Sequence, residues 1–438
     1  MKADMGLIGL GPMGTNFAKN IARNKYNVSV ATRSLKNTQA FIDSAKLPNV
    51  WGFEDYKPLV NSLETPRTLF LMVPSGPATD DILSQVWPHM DPHDTIIDCG
   101  NENWKITEER CSLSPCHHIG MGVSGGWRGA LNGPSMMPGG DKEGWIQNEG
   151  VLRTLCANPN LHNWVGPGGA GHFTKMVHNG IEYAIMQSIS EAWWHMHTSQ
   201  GMSNATIGEL FAKWQRNDYL LGITADILMS QNPDEDIVDE ALSNGTGMLT
   251  VQCAMEVGCP VPTIAAAVQE RAMSGNRHTR MRMNDFIPIG ITNSHIDAEC
   301  IRKALEVSHV LSICQGLELI RAKSESMGWD IDVQDVVKNW RKGSILESDV
   351  LQLFEVVSPY TPICSQEPVR HYITRRLDSL RLAVSVMNTV DVPCPALAAS
   401  LSYIVSISSQ TLPASLIQAQ RYEFGKHPYC LNITSTKN

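Results

Sequence analysis

Six residues near the start of this 438-residue chain, Gly9-Leu10-Gly11-Pro12-Met13-Gly14, constrain its fold more than any other stretch. They follow a short apolar run at residues 5–9. Met13, Phe17 and Ile21 then recur every four residues, as on one face of a helix. A GxGxxG spacing alone is weak, since plain turns also carry it. Between a strand and a helix it becomes specific. There the first glycine permits a tight turn, the second lets a pyrophosphate approach the backbone, and the third lets helix and strand pack closely. The helix N-terminus adds free N–H donors and a partial positive charge for phosphate.

The segment around this loop has the same alternating character. Apolar runs at 28–31, 68–73 (stopped by Pro74) and 95–98 (stopped by Gly100) are separated by helical patterns. They predict a buried parallel sheet with helices on both faces. About 20 residues past the glycine loop, an acid would take the ribose 2′-hydroxyl of NAD. Here the second strand ends in Val30-Ala31-Thr32-Arg33-Ser34, with no acid. An arginine and two hydroxyls suit a 2′-phosphate, which selects NADP; the bland alternative is a solvated surface arginine.

The character changes near Gly166. Gly166-Pro167-Gly168-Gly169-Ala170-Gly171 reads as a hinge. Beyond it, helical patterns dominate at 173–200, 206–229, 298–327 and 371–389, and residues 396–407 read as a buried helix interrupted by serines. The expected organisation is a nucleotide-binding α/β domain at 1–168, an all-helical domain at 169–424 and a polar tail at 425–438. A net charge of −9 argues against nucleic acid as a main partner, because phosphate backbones need a cationic footprint. The 11 cysteines are odd in number and none is spaced CxxC, which fits reduced, cytosolic thiols. Cys111, Cys116, His117 and His118 form the only dense Cys/His group and read as a loop with free thiols, not a metal site. No apolar run reaches membrane-spanning length and no signal peptide is apparent, so a cytoplasmic location is expected.

Ligands in such sheets bind beyond the carboxyl ends of the strands. Two small-residue segments stand there, Asp98-Cys99-Gly100-Asn101 and Gly122-Val123-Ser124-Gly125-Gly126. The stronger feature follows the hinge. On a helix, Lys175, His178, Asn179 and Glu182 share one face, at offsets of three, four and seven. A solvated face is the rival reading, but the segment is otherwise apolar and borders an expected interdomain cleft.

The run Gly169-Ala170-Gly171-His172-Phe173-Thr174-Lys175-Met176-Val177-His178-Asn179-Gly180-Ile181-Glu182-Tyr183 resembles the signature of the 6-phosphogluconate dehydrogenase family. So do Val123-Ser124-Gly125-Gly126, Gly133-Pro134-Ser135-Met136-Met137-Pro138-Gly139-Gly140, Gly245-Thr246-Gly247 and Leu416-Ile417-Gln418-Ala419-Gln420-Arg421. The resemblance implies a Rossmann domain, a large helical domain, and a C-terminal tail reaching into the partner subunit of a homodimer with shared active sites. It implies NADP-dependent oxidative decarboxylation of 6-phosphogluconate to ribulose 5-phosphate, without a metal. Lys175 would be the general base and Glu182 the acid that protonates the first carbon. Lys175 must then start neutral, so its pKa must be lowered. Asn101, Ser124, Gly125, Gly126, His178 and Asn179 would hold the sugar acid. Tyr183, Thr246, Arg271 and Arg421 would hold its phosphate, with His427 from the tail. Gly9, Gly11, Met13, Gly14, Thr32, Arg33, Ser34, Val73 and Asn101 would hold the cofactor.

The sequence departs from the family pattern at defined places. Asn244 stands where the phosphate site has a lysine, Met248 replaces a second lysine and Leu249 a tryptophan. Pro74 stands where a lysine often follows the fourth-strand valine, Thr32 replaces an asparagine, and Trp127 and Arg128 replace a Glu-Asp pair. Three readings follow. The first is an active 6-phosphogluconate dehydrogenase. The second applies the same mechanism to another 3-hydroxy sugar acid, because of Asn244. The third is a silent NADP-binding paralogue, against which the retention of both Lys175 and Glu182 argues.

Overall fold

The structure is a computed structural model and describes residues 2–215, 217–358 and 360–429. Its first half is a seven-stranded sheet of β1 (Met5–Ile8), β2 (Val28–Ala31), β3 (Val50–Gly52), β4 (Thr68–Leu71), β5 (Thr95–Asp98), β6 (His117–Ser124) and β7 (Ser135–Gly140). The order is β3-β2-β1-β4-β5-β6-β7, parallel throughout except for β7, which runs antiparallel to β6. The intervening helices are α1 (Pro12–Arg23), α2 (Leu35–Ala45), α3 (Tyr56–Asn61), α4 (Pro77–Val86), α5 (Trp104–Leu113), α6 (Gly126–Asn132) and α7 (Lys142–Leu155). They cover both faces. Met5, Leu7, Phe17, Ile21 and Phe70 pack on one side, and Ile8, Leu59, Leu63, Leu69 and Leu71 on the other. The helical spacing read from Phe17 and Ile21 is thus the buried face of α1, and Phe17 meets Phe70 edge to face. Strand order reverses between β1 and β4. The crevice at a parallel sheet's switch point therefore opens beside the Gly9–Gly14 loop and Val73.

The segment read as a loop around Cys111, Cys116, His117 and His118 is instead the end of α5 and the start of β6. The strand pattern is hidden because β6 alternates with glycines as well as apolar residues. A Cβ on Gly122 would lie 2.4 Å from Cβ of Lys175. The glycine lets the next helix lie directly on the strand.

That helix, α8 (Ala170–Trp194), starts at the hinge and is buried at every position from Ala170 to Ile181. The run read at 173–200 is this helix followed by a π-helical turn at His195–Ser199. The run read at 206–229 is two helices, Asn204–Trp214 and Tyr219–Ser230. They break where Asn217 adopts φ 65° and Asp218 caps the second helix through Leu221 N–H. The pattern at 371–389 likewise divides into Val369–Thr374 and Leu377–Thr389. The longest helix, Ala298–Met327, spans the range its periodicity predicts, between an Asp297 cap and left-handed Gly328. The helix Pro395–Ile407 buries Ser400, whose hydroxyl meets those of Ser308 and Thr263.

The helix Ala414–Gly425 has no buried residue, and Leu416, Ile417 and Phe424 are 63%, 57% and 77% exposed. Of the tail expected at 425–438, residues 430–438 lie outside the described residues.

Candidate active site

The glycine loop has the shape a dinucleotide requires. Gly9 has φ 107°, and a Cβ there would meet the Met72 carbonyl at 2.3 Å. A Cβ on Gly14 would lie 1.9 Å from the Gly9 carbonyl, whereas one on Gly11 would meet nothing within 4 Å. The first and third glycines are therefore fixed by packing, and the second faces open space. Gly11 caps α1 with no side-chain acceptor for the first-turn amides, and Pro12 follows it. Those amides remain free for an anion. Beyond β2, Arg33 is exposed between Thr32 and Ser34. Ser34 caps α2 by accepting from Asn37 N–H at 3.4 Å, and Thr32 N–H donates to Thr38 Oγ1. The glycine loop fits the phosphates of a dinucleotide, and the Arg33 side chain is left exposed beyond β2.

The face of α8 predicted from its spacing exists: Lys175, His178 and Asn179 are buried on it, and Glu182 is half-buried. Lys175 is only 5% exposed, and its Nζ lies 3.5 Å from His178 Nδ1. Burial brings the Lys175 amine down to about 8, against an opposing pull from Glu182. Burial raises the Glu182 carboxyl, with Lys175 and Arg271 opposing. Each group is shifted toward its neutral form, an amine able to accept a proton and an acid able to give one. His178 is driven well below its usual range, first by burial and then by Lys175.

The hydrogen bonds around His178 fix its tautomer. Ser124 Oγ accepts from Ile345 N–H at 3.1 Å, and Ser344 Oγ accepts from Leu346 N–H at 3.0 Å. Both hydroxyls also lie against His178 Nε2, at 3.0 and 2.9 Å. Asn179 Oδ1, 3.1 Å from Nδ1, can only accept, so Nδ1 carries the hydrogen and Nε2 is left as the acceptor. Asn179 Nδ2 donates to Thr246 Oγ1 at 3.1 Å, and that hydroxyl donates to Asn244 Oδ1 at 2.7 Å. Asn244 Oδ1 also accepts from Tyr183 OH at 3.1 Å and Thr246 N–H at 3.2 Å. The Arg271 guanidinium lies 3.5 Å from the Tyr183 ring centroid. One polar path thus runs from Ser124 through His178, Asn179, Thr246 and Asn244 to Tyr183 and Arg271.

The structure places Asn101 exposed on the turn after β5, and Gly125 and Gly126 just past Ser124 with φ 112° and 61°. It does not bring Arg421 or His427 to this path. Both are exposed, Arg421 bonding Gln418 and His427 packing on Phe424. Arg128 stacks on Trp127 and lines a groove of about 260 Å³ with Tyr219, Ile223 and Asp226, away from Tyr183 and Thr246. It does not stand in for the missing lysine. Sequence reasoning missed Ser344, which lies 166 residues from His178 in an aperiodic turn. It also missed Arg110, which binds Asp98 and Glu102 beneath Asn101.

Two family profiles match the chain. One, the NAD binding domain of 6-phosphogluconate dehydrogenase, covers residues 4–166, and the other, the 6-phosphogluconate dehydrogenase C-terminal domain, covers 171–437. The NADP(+)-dependent, decarboxylating 6-phosphogluconate dehydrogenase of Bacillus subtilis (strain 168) is 36% identical over 98% of this chain and 96% of its own length. A chloroplastic decarboxylating 6-phosphogluconate dehydrogenase of Oryza sativa subsp. japonica is also 36% identical, over 97% of this chain and 91% of its own. The 6-phosphogluconate dehydrogenase of Plasmodium falciparum superposes with a TM-score of 0.92 at 33% identity, covering 98% of both chains. With likeness running through both halves, and with the buried amine, imidazole and carboxyl of α8 where the signature puts them, the chain belongs to the 6-phosphogluconate dehydrogenase family.

Proposed function

We propose that this chain oxidises and decarboxylates 6-phosphogluconate to ribulose 5-phosphate and carbon dioxide, reducing NADP. The observation that carries the reading is the pair on one face of α8, a buried amine lowered to about 8 and, two turns on, a carboxyl that is raised. Bound NADP supplies the hydride acceptor. Lys175 takes the proton of the 3-hydroxyl as hydride leaves the third carbon. The β-keto acid so formed loses carbon dioxide, because its ketone accepts the electron pair of the breaking carbon–carbon bond. Protonated Lys175 returns its proton to the enolate oxygen; Glu182 then protonates the first carbon of the enol as Lys175 takes back the hydroxyl proton, leaving the ketone. Neutral His178, held at Nε2 by two serines, keeps its Nδ1–H beside Lys175 and stabilises the amine rather than competing for its proton. Gly9, Gly11, Met13, Gly14, Thr32, Arg33, Ser34 and Val73 hold the cofactor. Asn101, Ser124, Gly125, Gly126, His178 and Asn179 hold the sugar acid.

The same reading assigns residues 1–168 to the cofactor, 169–424 to the substrate and the subunit interface, and 425–438 to a tail in the partner subunit. Tyr183, Thr246 and Arg271 hold the phosphate, completed by Arg421 and His427 of the other copy. The exposed apolar residues of Ala414–Gly425 support this, since they need a cover the single chain does not supply. No helix among the described residues is long and apolar enough to cross a membrane, which agrees with a cytoplasmic enzyme.

Asn244 favours a second reading, the same chemistry on a sugar acid without the phosphate, because its amide oxygen already occupies the donors of Tyr183 and Thr246. The deciding assay follows NADPH absorbance with NADP and either 6-phosphogluconate or gluconate, beside a Lys175→Ala control. Turnover of 6-phosphogluconate that disappears in the control is expected. Faster turnover of gluconate would transfer the assignment to the second reading.

A further inference from the structure

Arg110 takes no part in the chemistry above, yet both loops that flank it converge on this one cation. Its side chain is 4% exposed. Nη1 donates to Asp98 Oδ2 at 3.1 Å and to Glu102 Oε2 at 2.8 Å. Nη2 and Nε donate to Asp80 Oδ1 at 2.6 and 3.0 Å, and Nη2 also reaches the Gly76 carbonyl at 3.3 Å. The carboxylates continue the clamp. Glu102 accepts Gly76 N–H at 2.7 Å and Asn103 N–H at 2.8 Å, and Asp98 accepts Gly100 N–H at 3.0 Å. The turn after Val73 and the turn bearing Asn101 are thereby locked to one side chain of α5.

The same helix holds the start of α8. Thr107 Oγ1 lies 2.6 Å from His172 Nδ1, and His172 Nε2 lies 3.1 Å from the Asp98 carbonyl. Glu108 accepts Gly169 N–H at 2.6 Å. Val73, Asn101 and Lys175 thus stand on three elements, all fixed to α5.

We propose that Arg110 is a positioning residue for hydride transfer, setting the separation between the cofactor side of the crevice and the sugar-acid side. The proposal rests on the functional reading above. Its physical basis is that Asp98 and Glu102 are both buried and share this single guanidinium. Without it they face each other uncompensated, and the two turns move apart. Lysine keeps the charge but lacks the planar fork that reaches both turns at once.

The test uses Arg110→Lys and Asp80→Asn. Asp80 is 60% exposed, so its variant keeps the buried core intact. NADPH affinity is read by fluorescence, stability by thermal melting, and chemistry by kcat, KM and the primary deuterium isotope effect with 6-phosphogluconate deuterated at its third carbon. In Arg110→Lys, kcat falls about 10- to 100-fold, the isotope effect rises above that of the wild type, and NADPH binds several-fold more weakly, as expected for about 1 Å of misplacement. Asp80→Asn shifts the same quantities less. An unchanged isotope effect and kcat per folded Arg110→Lys protein, with only a lower melting temperature, would reduce Arg110 to a structural role. If Arg110→Lys does not fold, unchanged kcat and isotope effect in Asp80→Asn overturn the proposal. If wild-type protein does not turn over 6-phosphogluconate, the functional reading fails, and NADPH affinity alone then decides whether Arg110 positions the crevice.

Discussion

The two ends of the polar path differ in where their residues come from. At one end, Lys175, His178 and Glu182 stand on a single helix; Lys175 and His178 are buried and hydrogen-bonded within the chain, and the Glu182 side chain beside them is 19% exposed. At the other, Tyr183, Thr246 and Arg271 come from three helices; Asn244 Oδ1 accepts from Tyr183 and Thr246, while the half-buried Arg271 donates to the Leu242 carbonyl. The first end needs a fixed electrostatic environment before substrate arrives, so it is built from one rigid element with desolvated neighbours. On the proposed reading the second must exchange water for an anion at each turnover, so it is open at Arg271 and keeps an internal acceptor in Asn244. On that reading chemistry is set by the closed end, and affinity by the open one.

The largest effect that can break this division is at the closed end. Lys175→Met is expected to lower kcat by about a hundred- to ten-thousand-fold while NADPH binding, followed by fluorescence, stays near wild type. A comparable loss of NADPH affinity would mean that the helix face holds the cofactor rather than the proton.

At the open end the next effect is in binding. Arg421→Ala is expected to raise the KM for 6-phosphogluconate by about tenfold or more, with kcat little changed, because a charge-assisted contact is lost. If Arg421 serves the partner's site, mixing Lys175→Met and Arg421→Ala proteins restores low-KM turnover in hybrid dimers, since one site then has both residues. No recovery after subunit exchange would place Arg421 outside the site.

The two ends also differ in how far they can be read from sequence. The closed end is legible because its offsets are local: Lys175, His178 and Glu182 are neighbours on any helix, and only their burial had to await the fold. The glycine loop is legible for the same reason, each glycine's task being set within a few residues or by the adjoining strand. The open end is legible only through its likeness to a family, since residues 183, 246 and 271 have no local relation. Ser344 and Arg110 were missed because partners far along the chain define them. Strands β6 and β7 were missed because glycines required by α8 replace the expected alternation. The break at Asn217 was missed although four polar residues, Gln215-Arg216-Asn217-Asp218, interrupt the apolar spacing there.

Asn244→Lys sharpens the comparison with a smaller effect. It removes the acceptor that engages Tyr183 and Thr246 and supplies a cation at the same place. A charge-assisted bond of about 1.5–3 kcal/mol corresponds to about one to two decades in affinity, so the KM for 6-phosphogluconate should fall about tenfold. The KM for gluconate should hold or rise. An equal fall for both substrates would show that residue 244 acts on the sugar rather than on the phosphate.

The smallest effect concerns the pH response of the closed end, where the sign is fixed by the direction of the shift. Lys175 is lowered from 10.5 to about 8, so the neutral amine is the minor form at pH 7 and reaches half at pH 8. Turnover limited by this base should therefore rise about fivefold from pH 7 to pH 8 and level off above it. Stability runs the same way. The unfolded chain keeps the lysine proton up to pH 10.5 while the folded chain releases it near 8, so the cost of burying this amine is full below pH 8 and fades as pH rises to 10.5. Asn244→Lys lies at the other end and should leave the inflection of kcat where it is. A matching displacement of that inflection would mean that charge at the phosphate end reaches Lys175, and that the two ends are electrostatically one site.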